Sequence, residues 1–203
     1  CIKNNEICVY RQEEWFKVFI HELFHAYGMD MNIAFSPTLF HTGTKILVGE
    51  AYVEFWAVYL NSAITAYYSA TQNVSATNKE NIFSGYLAKY VRAERIFTLI
   101  QVNKILRHNN IKYNELFIHK NSYREKTNVF AYFILKSLLL FHYEEFIQLS
   151  IKNNRNTYYV VSPNYIKEFI EKKARNREYR KYLNILNVEY MKHSLRMTIV
   201  ELE

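Results

Sequence analysis

Apolar residues recur every three or four positions along most of this chain, which is the spacing of helices with one buried face. The predicted helices cover 13–27, 49–69, 79–107 and 129–149. Ser162 followed by Pro163 is typical of a helix start, and it predicts a further helix that ends near 173 or continues to 186. Strands are predicted over 6–10 and 158–161, and 29–49 should be a loop with an extended stretch at 45–48. The pattern therefore predicts a mainly α (α+β) fold.

The composition favours one helical domain. The 203 residues are 50% hydrophobic and include 18 Tyr and 14 Phe but only 4 Gly and 2 Pro. Chain-breaking residues are therefore scarce, and aromatic side chains must fill much of the core. This length suffices for one sizeable core, so we predict a single domain over 1–203. Because the chain begins at Cys1 without an initiator methionine, we expect it to be a fragment or processed part of a longer protein.

The charge pattern narrows the classes of partner. The formal net charge of +7 favours acidic partners, but the densest basic stretch, 172–181, contains Glu178 and is typical of a solvated helical face. No nucleic-acid-binding motif accompanies this stretch, so we do not expect nucleic acid to be the partner. The most apolar run, 130–141, is too short for a membrane span and contains Lys136.

The two cysteines, Cys1 and Cys8, lie near one end and are not spaced as a CxxC pair. They can build neither a disulfide framework nor a thiolate zinc site. No basic stretch followed by an apolar signal-peptide core opens the chain. We therefore expect an intracellular or virion-associated protein rather than a secreted one.

A possible metal site lies in the first predicted helix, which should end at Gly28. His21-Glu22-Leu23-Phe24-His25 is an HExxH motif in a helical context. Residues four apart lie on one helix face, so both imidazoles can bind one zinc ion while Glu22 reaches a bound water as general base. The alternative is a chance match in an amphipathic helix. The apolar flanks argue against it, because burying these polar groups without partners is costly.

A catalytic zinc site also needs a third protein ligand. Glu50 is the best candidate, because it lies near the start of the second predicted helix with Glu54 four residues later on the same face. Glu54 would then accept the second ring N–H of His21 or His25. The alternative is that both carboxylates simply favour the helix N-terminus. His41 is a lesser candidate ligand, whereas Met31 is unsuited to zinc and Asp30 is out of register with the metzincin pattern.

The motif pair His-Glu-Leu-Phe-His and Gly-Glu-Ala-Tyr-Val-Glu resembles that of the gluzincin metallopeptidases, including thermolysin-like enzymes. The resemblance covers about 13–60, and Gly49 and Glu54 replace the Asn and Asp that are usual in that family. The motif pair is also similar to that of predicted metallopeptidases of large DNA viruses. The resemblance implies a zincin-like domain with an active-site helix, a second ligand-bearing helix and a small strand region. It further implies hydrolysis of a peptide or protein substrate with Zn²⁺ as cofactor.

Other parts of the mechanism stay open at this level. Peptide hydrolysis needs a donor for the developing oxyanion. The candidates are His119, His142, His193, Tyr158 and Tyr159, and each is better explained as a packing residue. His108 is expected to be an exposed helix end. The alternative function is a catalytically silent protein of the same fold with a structural or binding role in a larger assembly.

Overall fold

Most of the chain that the structure describes is helical. The structure, a computed structural model, describes residues 2–3, 6–30, 34–35, 39–72, 78–118, 123–153, 162–186 and 195–202. The first three helices are α1 (Trp15–Ala26), α2 (Val48–Gln72) and α3 (Lys79–His108). The remaining helices are α4 (Lys136–Phe141), α5 (Tyr143–Asn153), α6 (Pro163–Ala174) and α7 (Arg177–Ile185). The prediction of a mainly α fold is confirmed.

The first three helices follow the apolar periodicity closely. Each begins and ends within three residues of its predicted bounds, and α1 is preceded by a 3₁₀ turn over Gln12–Glu14. Gly28 follows α1 with a φ of 61°, which is the left-handed conformation expected after a helix C-terminus. A second 3₁₀ turn covers Tyr113–Phe117.

The predicted helix over 129–149 is wrong as a single element. It is divided into a π-helical segment (Phe130–Leu135), α4 and α5, with His142 between the last two. All of α4 is buried, whereas α5 begins with the exposed carboxylates of Glu144 and Glu145, which favour a new helix N-terminus. The packing environment therefore changes at His142.

The helix predicted from 162 ends at Ala174. Pro163 occupies the first helical position as expected, although the Ser162 side chain makes no capping hydrogen bond. A separate helix, α7, begins after Asn176, whose side chain accepts a hydrogen bond from the backbone N–H of Tyr179. This cap explains why the chain does not continue as one helix to 186.

The described strands form two short antiparallel pairs. β1 (Ile2–Lys3) pairs with β2 (Glu6–Ile7), so only the first part of the predicted strand 6–10 is formed. β3 (Ala34–Phe35) pairs with β4 (Ile46–Leu47), and β4 matches the extended stretch expected at 45–48. The predicted strand 158–161 lies outside the described residues.

The centre of the core is α2. Every residue from 51 to 58 is buried, because α1, α3, α4 and the π-helical segment all pack around this helix. The buried apolar side chains of these elements and of α6 and α7 form one connected cluster. This packing brings the start of α2, the last two turns of α1 and the π-helical segment together at one place. No helix in the described part of the chain is long and apolar enough to cross a membrane.

Candidate metal centre

Three side chains from two helices bring donor atoms to one point. His21 Nε2 lies 3.1 Å from His25 Nε2, and Glu50 Oε2 lies 3.6 Å from the first and 3.7 Å from the second. In a tetrahedral zinc site with bonds of about 2.0 to 2.2 Å, the ligand atoms are roughly 3.3 to 3.5 Å apart. The observed triangle is within a few tenths of an ångström of these values, so the three side chains could hold a metal ion.

The local structure explains how these donors meet. His21 and His25 are one turn apart on α1, and the buried Ile20 and Phe24 fix this helix against the core. Glu50 is in the first turn of α2, where the helix dipole favours a carboxylate. Among the described residues, one group of three His, Cys, Asp or Glu side chains converges closely enough to hold a metal, and it consists of these three.

A second carboxylate lies behind each imidazole. Asp30 Oδ2 lies 2.9 Å from His25 Nδ1 and accepts a hydrogen bond from it. Glu54 Oε2 lies 2.9 Å from His21 Nδ1, a close ion-pair contact in which the ring N–H is not well aligned with the oxygen. A carboxylate only accepts hydrogen bonds, so each ring carries its proton on Nδ1 and presents Nε2 to the metal position.

These contacts perturb the titration of the site. The nearby carboxylate of Glu50, with Oε2 at 3.7 Å from Nε2, raises the pKa of His25 to about 9, against the opposing effect of burial. Burial would raise the pKa of Glu50, but the two imidazoles lower it. Burial lowers the pKa of His21, yet Glu50 and Glu54 raise it overall. The metal-free site therefore keeps Glu50 ionised and favours a proton on the histidine pair.

Glu54 is itself enclosed by cations. Its Oε1 accepts a hydrogen bond from Lys17 Nζ at 2.7 Å and lies 3.8 Å from Lys136 Nζ. Burial opposes ionisation of Glu54, but these lysines and His21 lower its pKa to about 2. The side chain contacts His21 and not His25, which decides between the two partners that the sequence left open.

Tyr132 is a site residue that sequence reasoning missed. Its hydroxyl donates a hydrogen bond to Glu50 Oε2 at 3.0 Å, and its ring lies against His21 with a centroid distance of 5.9 Å. Burial and the neighbouring Glu50 raise its pKa, so the hydroxyl keeps its proton and can donate it. Tyr132 belongs to the π-helical segment, a rare backbone form that is frequent at functional sites.

The other predicted residues are distributed as follows. Glu22 is half-buried on α1 next to His21. His41 does not join the donor group, and its backbone N–H donates to the carbonyl of Leu116. His142 pairs with Glu145 on α5 at 3.5 Å, and His108 is an exposed helix end as expected. Met31, His119, His193, Tyr158 and Tyr159 lie outside the described residues.

Asp30 and Tyr132 carry only weak sequence signals. Asp30 follows the first motif by five residues but has no fixed spacing as a hydrogen-bond partner, and Tyr132 is one of 18 tyrosines. Only the packing of the elements reveals that they contact the site.

No protein-family model matches this chain, and no curated protein or solved structure matches it either.

Proposed function

We propose that this chain is a zinc-dependent peptidase of the gluzincin type, built on a zincin-like catalytic domain. One observation carries the proposal: the donor atoms of His21, His25 and Glu50 lie 3.1 to 3.7 Å apart. The two histidines belong to an HExxH motif whose glutamate is Glu22. Two imidazoles and one carboxylate are a common protein ligand set of catalytic zinc sites. Calcium and magnesium prefer oxygen ligands, so this donor set favours zinc.

The number of donors supports a catalytic rather than a structural site. Structural zinc sites are usually closed by four protein ligands, whereas the described residues supply three. The side chains of His25 and Glu50 are 21% and 19% exposed, so water can reach the metal position. A zinc ion held there supplies a Lewis acid and lowers the pKa of a bound water toward about 7.

The protein residues have separate tasks in this proposal. Glu22 takes a proton from the attacking water and passes it to the leaving amine. Asp30 and Glu54 fix the two imidazoles through their Nδ1 atoms. Tyr132 has a protonated hydroxyl 3.0 Å from Glu50, close enough to the metal position to donate to the oxyanion of a peptide substrate.

The second candidate is a catalytically silent protein of the same fold that binds metal or partners in a larger assembly. The glutamate at position 22 favours the enzyme, because a purely structural zinc site has no use for a general base. Turnover of peptides separates the two candidates.

The test combines metal analysis with a library of quenched fluorescent peptides. Wild-type protein should contain about one zinc per chain and hydrolyse some of the peptides, and His21→Ala should lose both properties. Glu22→Gln should keep the zinc and lose hydrolysis by roughly 10²- to 10⁴-fold. His108→Ala, at an exposed helix end, is the matched histidine control and should behave as wild type. Undiminished hydrolysis by Glu22→Gln would refute the proposed mechanism, and bound zinc without any turnover would favour the silent protein.

A further inference from the structure

Three charged side chains are buried together behind His21. Lys17, Glu54 and Lys136 come from α1, α2 and α4, and their side chains are 2%, 1% and 0% exposed. Lys17 is one turn before His21, so both lie on the same face of α1. Glu54 links the two sides: Oε1 faces the lysines and Oε2 faces His21.

The segment 195–202 supplies further partners of these lysines. The carbonyl oxygen of Met197 accepts a hydrogen bond from Lys136 Nζ at 2.7 Å, and Met197 Sδ lies 3.4 Å from Lys17 Nζ. The backbone N–H of Met197 donates to the buried carboxylate of Glu14 at 2.9 Å. One residue of this segment thus contacts both lysines.

A second group of contacts anchors the same segment to α2 and α3. The fully buried Glu94 accepts hydrogen bonds from the backbone N–H groups of Ile199 at 2.9 Å and Val200 at 2.8 Å. It also accepts a hydrogen bond from the hydroxyl of Thr198. Asn61 on α2 donates to the carbonyl of Val200 at 2.7 Å. These contacts hold residues 198–200 against α3 and against α2, the helix that also carries Glu50 and Glu54.

Stability alone does not account for such an arrangement. Burying charges costs desolvation energy, and well-packed apolar side chains in their place are often equally or more stabilising. Apolar side chains in these positions could not bind one carboxylate oxygen of Glu54 while its other oxygen faces His21. We infer that Lys17 and Lys136 are positioning residues of the metal centre, kept in place by the segment 195–202 and acting on His21 through Glu54.

This inference rests on the proposed function only in taking the site to bind zinc, and it does not depend on peptide hydrolysis. Loss of Lys17 removes the closest partner of Glu54 Oε1, at 2.7 Å, and leaves Lys136 at 3.8 Å. Glu54 is then free to turn away from His21. Losing such an outer partner of a metal ligand typically weakens metal binding 10- to 100-fold.

The first experiment measures the zinc Kd of the Lys17→Met variant of the 203-residue chain by competition with a chromophoric chelator. Zinc binding should weaken about 10- to 100-fold. The control is Leu183→Ala, which removes a buried side chain of α7 outside the charged group and should lower stability while leaving the zinc Kd within about twofold. A folded Lys17→Met protein with the zinc Kd of the wild type would overturn the inference.

A second measurement needs no lysine substitution and covers the case in which Lys17→Met does not fold. Zinc should slow hydrogen exchange at the amides of Met197, Ile199 and Val200 more than at the amides of α7, because binding stabilises the linked group locally. Glu54→Gln should remove this difference. Equal slowing at both places in the wild type would overturn the inference. Wild-type protein that binds zinc and shows this coupling but hydrolyses no peptide would remove the proposed peptidase and leave the inference standing.

Discussion

Zinc binding to this site should release one proton, and its affinity should therefore depend on pH. His21 Nε2 and His25 Nε2 are 3.1 Å apart, too close for two facing lone pairs or for two facing N–H groups. Because both Nδ1 atoms face carboxylates and a gap of 3.1 Å holds only one hydrogen, the raised pKa values of the two rings describe one proton shared between the Nε2 atoms. Zinc has to displace that proton.

The size of this pH dependence follows from the pKa of about 9 for His25. Below this pH one proton competes with one zinc ion, so the apparent association constant should fall about tenfold for each pH unit. Between pH 8 and pH 6 the expected loss is about a hundredfold. Above about pH 9 the competition ends and the affinity should stop rising.

The stability of the metal-free protein should change in the opposite direction. The folded pKa of His25 lies above its unfolded value of 6.5, so protonation of His25 stabilises the metal-free fold. This contribution is complete below pH 6.5 and is lost as the pH rises through about 9. The thermal midpoint of the metal-free protein should therefore fall across this window while zinc affinity increases.

Isothermal titration calorimetry measures both the zinc affinity and the number of protons that zinc binding releases. Titrations at pH 6, 7 and 8 give the affinity, and buffers with different ionisation enthalpies give the number of protons released for each zinc ion. A zinc affinity that is the same at pH 6 and pH 8 would refute the shared proton. Release of two protons at pH 7 would refute it as well, because both Nε2 atoms would then have been protonated.

Three substitutions test single residues of the site and of its helix end. Tyr132→Phe should lower kcat of peptide hydrolysis roughly 10²- to 10³-fold with little change in zinc affinity, whereas weakened zinc binding with nearly normal kcat would mean that the hydroxyl only orients Glu50. Asp30→Asn should weaken zinc binding about tenfold or more, because it removes the charge beside His25 Nδ1, and an unchanged Kd in a chelator competition would contradict that role. Gly28→Ala should lower the free energy of unfolding by about 1 kcal/mol in chemical denaturation, because the φ of 61° disfavours a side chain; equal stability would exclude strain there.

The helices show which parts of the fold can be predicted from the local spacing of apolar residues. The bounds of α1, α2 and α3 follow from the spacing of apolar residues, which is a local property of the sequence. The break at His142 does not follow from it, because the residues on both sides suit a helix equally well. That break depends on which neighbours enclose α4 and leave α5 partly exposed.

The outer partners of the metal centre depend on packing in the same way. The sequence contained one usable sign: Lys17 and Lys136 each stand within an apolar run, where a cation needs a buried partner. Their shared partner could not be identified from spacing, because Lys17, Glu54 and Lys136 are far apart in the sequence. Lys136 and its acceptor Met197 are also far apart in the sequence, so their contact could not be predicted from spacing either.

By itself the sequence determined the mainly helical fold, the two histidines one turn apart and the two carboxylates one turn apart, because the helical repeat sets all these relations within a few residues. Tertiary structure alone decided that Glu50 meets both Nε2 atoms, that Glu54 contacts His21, and that Asp30 and Tyr132 join the site. The physical reason is one of distance along the chain. Contacts within one helix follow from backbone geometry, whereas contacts between elements depend on how all the buried surfaces pack at once.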